Sequence, residues 1–135
     1  MDLPNGTLVA IADGEQLLLF RNDGDEQHIN LANVKSPKIS LDNKSAGAKD
    51  QDGGPGGHDA RQLDEFAHAA GVAEWLNGEV LKNKIDKLVV VADPRSLGEM
   101  RRHFHKETEA ALIGELAKTL TNSPVPDIEK ALKAG

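Results

Sequence analysis

Apolar residues gather in short runs along the chain, separated by charged or glycine-rich stretches. The densest run is Leu88–Ala92, Leu-Val-Val-Val-Ala, with no polar residue inside it and charge close to both ends. A short, β-branched, uninterrupted run reads as a strand buried on both faces, and such a strand needs helices on both sides to cover it. Pro94 ends the run. Ser96 with Glu99 three residues later forms a capping-box pattern, and Leu97, Met100 and Phe104 continue at helical spacing. Residues 86–104 therefore predict a strand–turn–helix unit, with Asp93, Arg95 and Ser96 at the strand's carboxyl end, where open α/β sheets bind ligands.

The earlier part of the chain has a different rhythm. Residues 7–12 (Thr-Leu-Val-Ala-Ile-Ala) predict a strand, and Asp13-Gly14 is a strong hairpin signal. Residues 15–21 return as a second strand, residues 22–25 (Asn-Asp-Gly-Asp) turn again, and residues 27–31 predict a short third strand. This is an antiparallel meander. Periodicity then vanishes over residues 33–60, which are rich in Lys, Asp, Ser, Asn and Gly and contain Gly53-Gly54-Pro55-Gly56-Gly57. Such composition buries little apolar surface to offset ordering and predicts a flexible loop.

Asp59 with Gln62 signals a helix start, and residues 60–83 carry Leu63, Phe66, Ala70, Ala73, Leu76 and Val80 at three- and four-residue steps. Trp75 lies beside this stripe and is expected to be half exposed; it reads first as a residue at the margin of the buried face and only second as a contact for a protein partner. Residues 106–121 send conflicting signals. Leu112, Ile113, Leu116 and Leu120 suit a helix, and the scarcity of Val and Thr argues against a strand. Pro126 predicts the first residue of a last helix, with Ile128, Ala131 and Leu132 inward.

A length of 135 residues suits one domain, 1–135. Only 3% of the chain is aromatic, so the core must be built from Leu, Val, Ile and Ala. The absence of cysteine excludes disulfides and thiolate metal sites and fits a reducing cytoplasm. No apolar run approaches the ~18 residues of a membrane span, and no signal-peptide pattern opens the chain, so the expectation is a cytoplasmic protein with no membrane partner.

The net charge of −6 makes the chain as a whole a poor binder of nucleic acid, whose affinity rests on phosphate neutralisation. One local exception stands out: Arg95, Arg101, Arg102, His103, His105 and Lys106 cluster along the strand–turn–helix unit. They read either as a solvated face with cations suiting the helix C-terminus, or as an anion or RNA contact made by Arg95, Arg101, Arg102 and Lys106.

The nearest approach to a catalytic constellation is Asp13 with Asp93, each at the carboxyl end of a predicted strand. If the strands are neighbours, two convergent carboxylates offer hard oxygen ligands for Mg²⁺ or Mn²⁺. The competing reading makes Asp13 a turn residue and Asp93 the residue before a helix. His28, His58, His68, His103 and His105 have no metal-site spacing and read as surface residues, so no metal and no cofactor is expected from motifs. The glycine-rich loop lacks a following Gly-Lys-Ser/Thr, and no nucleophile-elbow motif occurs.

Several stretches together resemble a known family: Phe66-Ala67 … Leu76-Asn77; the run from Leu88 through Ala92 into Asp93-Pro94-Arg95-Ser96-Leu97-Gly98-Glu99-Met100-Arg101; Ile113-Gly114-Glu115-Leu116-Ala117-Lys118-Thr119-Leu120-Thr121; and Pro124-Val125-Pro126-Asp127-Ile128-Glu129. With Gly6-Thr7-Leu8-Val9 … Ala12-Asp13-Gly14, the pattern resembles the bacterial host attachment proteins, which are similar to the middle domain of archaeal and eukaryotic class-1 release factors. The resemblance implies a single α/β domain: a mixed sheet of about five strands, helices on both faces, related to the ribonuclease H-like architecture. It also favours a strand at residues 110–115.

In the release-factor domain the loop before the long helix carries Gly-Gly-Gln and promotes hydrolysis of peptidyl-tRNA on the ribosome. Here the corresponding tip reads Gly53-Gly54-Pro55, with no Gln after the glycines, and Lys118-Thr119-Leu120-Thr121 stands where the family usually has Lys-Asp-Leu-Thr. The resemblance thus implies a non-catalytic binding module, associated with ribosome, RNA or a protein partner. The alternative is a hydrolase of peptidyl-tRNA or RNA, using residues 53–58 including His58, or a metal at Asp13 and Asp93.

Overall fold

The computed structural model describes residues 1–39 and 60–135. Five strands form one sheet: β1 (Leu8–Ala12), β2 (Leu17–Asn22), β3 (Leu31–Val34), β4 (Leu88–Ala92) and β5 (Leu112–Ala117), in the spatial order β3-β2-β1-β4-β5. The first three are antiparallel neighbours, whereas β1, β4 and β5 run parallel. The sheet is therefore mixed, and β1 and β4 occupy its middle.

Both central strands are buried on both faces, every residue of Leu8–Ala12 and Leu88–Ala92 being inaccessible or nearly so. Successive side chains of a strand point to opposite faces. Leu8, Ala10, Leu88 and Val90 join the helix α1 (Ala60–Leu81) and α2 (Pro94–Arg101) in one core cluster. Val9, Ile11, Val89 and Val91 join Leu3, Phe20 and the helix α4 (Val125–Ala134) through Ile128 and Leu132 in the other. A short helix α3 (Lys106–Ala111) packs against α1 and leads into β5.

Local chemistry moves several elements from where the sequence pattern puts them. The third strand lies at Leu31–Val34, later than 27–31 and running into the first two residues of the expected loop. Polar side chains hold residues 23–30 in a turn instead: Asp25 accepts the N–H groups of Gln27 and His28, and Asn22 accepts those of Gly24 and Asn30. Side-chain acceptors of this kind give the backbone a partner that competes with a ladder. The cap of α2 is Asp93, not Ser96. Its Oδ2 accepts the Ser96 N–H at 3.2 Å, and Pro94 takes the first helical turn, where its missing N–H costs nothing.

The conflict over residues 106–121 resolves into both answers, a helix to Ala111 and a strand from Leu112. The pairing steps from Leu88↔Leu112 to Val89↔Gly114, leaving Ile113 as the extra residue of a β-bulge, 41% exposed. The last helix begins at Val125 with Pro124 as its cap, one residue ahead of the expected start.

The stripe on α1 is also rotated. Its buried positions are Ala67, His68, Ala69, Ala70, Val72, Ala73, Leu76 and Asn77, while Leu63, Phe66 and Val80 are only half-buried. Small residues let a long helix lie close to the sheet opposite Ala10 and Ala12. The helix stops at Leu81, and Asn83 adopts φ 61°, the left-handed conformation that asparagine tolerates after a helix end.

Candidate functional site

Because β1 and β4 are adjacent and parallel, Ala12 pairs with Ala92, and Asp13 and Asp93 leave the sheet side by side. Both line a cavity of about 400 Å³ at the carboxyl ends of the strands. Its wall is completed by the β1–β2 turn through Glu15 and Gln16, by Glu65 and Phe66 of α1, by Arg95 and Ser96 at the start of α2, and by Thr119 and Asn122 beyond β5. Four segments distant in sequence converge there. Gly14 is what lets α1 reach the hairpin: a Cβ on it would lie 2.6 Å from Cγ of Glu65.

The two aspartates differ sharply in their surroundings. Asp13 spends both oxygens within the protein. Oδ1 accepts the N–H groups of Glu15 and Gln16, each at 2.7 Å, and Oδ2 accepts the Thr121 hydroxyl at 2.6 Å. Its carbonyl oxygen accepts a hydrogen bond from Nδ1 of the buried His68 at 2.9 Å. Burial alone would raise the Asp13 carboxyl. The Thr121 hydroxyl, the two amides and the nearby His68 outweigh it and hold the carboxyl below its ordinary value of 3.8. Asp13 thus works as a structural clasp between the hairpin and the segment after β5. Asp93 caps α2 with one oxygen, while its Oδ1 is buried and has no hydrogen-bond partner among the described residues.

A divalent-metal reading gains little from this arrangement. Only one of the two strand-end carboxylates has an uncommitted oxygen, and among the described residues no three His, Asp or Glu side chains are grouped to hold a metal ion.

The basic residues are spread along the unit from the cavity to the start of α3. Arg95 stands at the cavity, whereas Arg101 and Arg102 lie at the far end of α2 and Lys106 opens α3. Arg101 donates from Nε and Nη2 to Glu115 Oε1 at 3.1 and 2.6 Å, which strengthens its hold on its proton. Arg102 donates to Glu99 at 3.1 Å. Glu99 is almost completely buried, and its other oxygen lies 2.8 Å from Nε2 of His103, whose ring is only 8% exposed. His68 and His103 are therefore interior residues, against the surface reading of all five histidines; His28 is exposed as expected. Among the described residues no ion pair involves Arg95 or Lys106. The glycine-rich tip Gly53, Gly54, Pro55, Gly56 and Gly57, with His58, lies outside the described residues.

Asp13 and Asp93 stand side by side, but in the roles of the competing sequence reading, a turn residue and a helix cap, and Glu65, Thr119, Thr121 and Asn122 were not foreseen. Thr121 is 108 positions from Asp13, and no local pattern announces a contact of that range.

Fold and strand-end geometry define an α/β domain with a mixed sheet and a long helix entering beside the strand ends. The model of bacterial archaeo-eukaryotic release factor family 12 matches residues 6–132, and the chain belongs to that family. No curated protein matches the chain.

Proposed function

We propose that this chain is a release-factor-like binding module that associates with the ribosome or its RNA without hydrolysing peptidyl-tRNA. The observation that carries the reading is the tip sequence in a chain of this family: Gly53-Gly54 is followed by Pro55, where the release-factor middle domain that the chain resembles has Gln. Positioning of that Gln against the ester is the whole catalytic contribution of the loop, so its loss is severe. Proline adds a fixed φ and removes a backbone donor. Gln51 stands on the wrong side of the glycines to substitute. Asp13, with both oxygens engaged, supports the same reading.

Contact with RNA phosphates falls to Arg95, Arg101, Arg102 and Lys106. Arg101 and Arg102 keep side-chain exposures of 58% and 46% despite their carboxylate partners. A guanidinium has five N–H donors, so each retains several for a phosphate.

Two measurements test the proposal. Purified protein added to a lysate sediments with ribosomes at low salt, and Arg101→Gln with Arg102→Gln weakens that association and reduces its salt dependence. Glutamine removes charge without setting carboxylates against Glu99 and Glu115. In the second measurement, protein added to ribosomes carrying peptidyl-tRNA releases no peptide above background. Robust release, abolished by changing Gly53 or Gly54, would overturn the non-catalytic reading. Failure to sediment with ribosomes, or unaltered sedimentation of the double variant, would overturn the assigned contact.

A further inference from the structure

An asparagine followed by glycine readily loses its side-chain amide, because glycine has no Cβ to shield its backbone nitrogen. The pair occurs twice in this chain, at Asn5-Gly6 and Asn77-Gly78. In the reaction, base takes the proton of the glycine N–H and the nitrogen forms a bond to the asparagine Cγ. The Cγ–Nδ2 bond breaks and ammonia leaves. Water then opens the five-membered imide at either carbonyl, giving aspartate or isoaspartate. Both the glycine N–H and the asparagine carboxamide must be free for this to begin.

The fold holds the two pairs by very different means. Asn77 is 1% exposed and lies within α1. Its Oδ1 accepts the His105 N–H and the Thr108 hydroxyl, and its Nδ2 donates to the His103 carbonyl. Freeing it requires α1 to part from α3 and to unwind. Asn5 is exposed, in a turn that the Thr7 N–H closes on the Pro4 carbonyl at 3.2 Å. Gly6 adopts φ 86°, the positive value that the third residue of a type II turn needs. Three further bonds tie this turn to β2 and the residues after it. The Gly6 N–H donates to the Asn22 carbonyl at 2.8 Å, Asn5 Nδ2 to the Gly24 carbonyl at 2.7 Å, and Arg21 Nη1 to the Gly6 carbonyl at 2.9 Å. Pro4, Asn5 and Gly6 bury no large apolar side chain, so these bonds can break while the sheet stays folded.

We propose that Asn5 is a gated modification site, which loses its amide through local opening of the turn at residues 4–7 while Asn77 is spared until the whole chain unfolds. The change is self-reinforcing. Aspartate at this position loses the donor to Gly24, and isoaspartate inserts a backbone methylene that moves the Gly6 N–H out of register with Asn22.

The full chain is incubated folded at mildly alkaline pH, in a series of urea concentrations below the unfolding transition, and deamidation at each site is followed by peptide mapping with mass spectrometry. A fully unfolded sample gives the reference rate for each pair. In the folded chain Asn5 should react more slowly than in the unfolded one, yet about tenfold or more faster than Asn77, as a local opening outpaces a global one. Added urea should leave the Asn5 rate nearly flat and raise the Asn77 rate with the slope of global unfolding. Arg21→Met removes one tie and should speed Asn5 about fivefold, as for the loss of one hydrogen bond from the closed state. Asn77 in the same sample reports any general loss of stability in that variant. Equal protection of the two sites, a common dependence on urea, a folded Asn5 as reactive as an unfolded one, or an Arg21→Met effect shared equally by Asn77 would each overturn the proposal.

Discussion

Val90 and Val91 are consecutive residues of the central strand, both inaccessible to solvent, and they face opposite cores. Replacing either with Ala removes two buried methyl groups. At about 0.8 kcal/mol per methyl-sized group, lost transfer energy comes to about 1.6 kcal/mol. A residual void of about 40 Å³ adds about 1 kcal/mol, because neighbours on a packed sheet relax only in part. Each single variant should therefore lose about 2.5 kcal/mol. For a chain of this size that corresponds to a fall in Tm of about 8–12 °C. Trp75 is the sole tryptophan and packs against the core on α1, so its fluorescence in a urea titration reports the transition directly. The slope of the transition should not change. Ile113→Ala, at the bulge and 41% exposed, is the control and should cost under about 1 kcal/mol. Near-equality of Val90→Ala and Val91→Ala is the decisive outcome. A sheet covered on one side only would make one of them nearly neutral. A loss below about 0.5 kcal/mol for Val91→Ala would refute the packing of α4 across the second face.

Asp13 makes stability depend on acid. Its carboxyl is held lower in the folded chain than the 3.8 of an unfolded one, so its contribution is full above that value and lost as pH falls through the folded value. The stability gap between the natural chain and Asp13→Asn should thus be constant at neutral pH and close below about pH 4; a gap that persists into acid, measured by urea midpoints, would contradict the clasp. Asn77 accepts the His105 N–H and the Thr108 hydroxyl and donates to the His103 carbonyl, at 2.9, 2.6 and 2.8 Å. Asn77→Ala strands these buried groups and should cost about 2–4 kcal/mol by denaturant unfolding, with α3 loosened first in hydrogen exchange.

The resemblance to release-factor-like domains was legible in motifs because those stretches carry strong local information. The apolar run of β1, the Asp13-Gly14 turn, the valine run of β4 and the proline-led α4 each specify an element with few neighbours consulted. Asp13 and Asp93 were placed at strand ends by the same means, since a strand's polarity fixes where its last residue goes.

Tertiary structure decided what local pattern left open. It turned α1 so that alanines, His68 and Asn77 face inward, because close approach to the sheet outweighs the larger stripe that periodicity picks out. It drew a strand from Leu112–Ala117, where propensity favoured a helix, since the open edge of β4 offers that backbone a ladder of hydrogen bonds. It also separated two aspartates that look alike in sequence. Thr121 and the turn amides saturate Asp13, while Asp93 keeps an oxygen without a partner among the described residues. A hydrogen bond from Thr121, 108 positions away along the chain, is what makes Asp13 a clasp, while Asp93 serves its own helix as a cap.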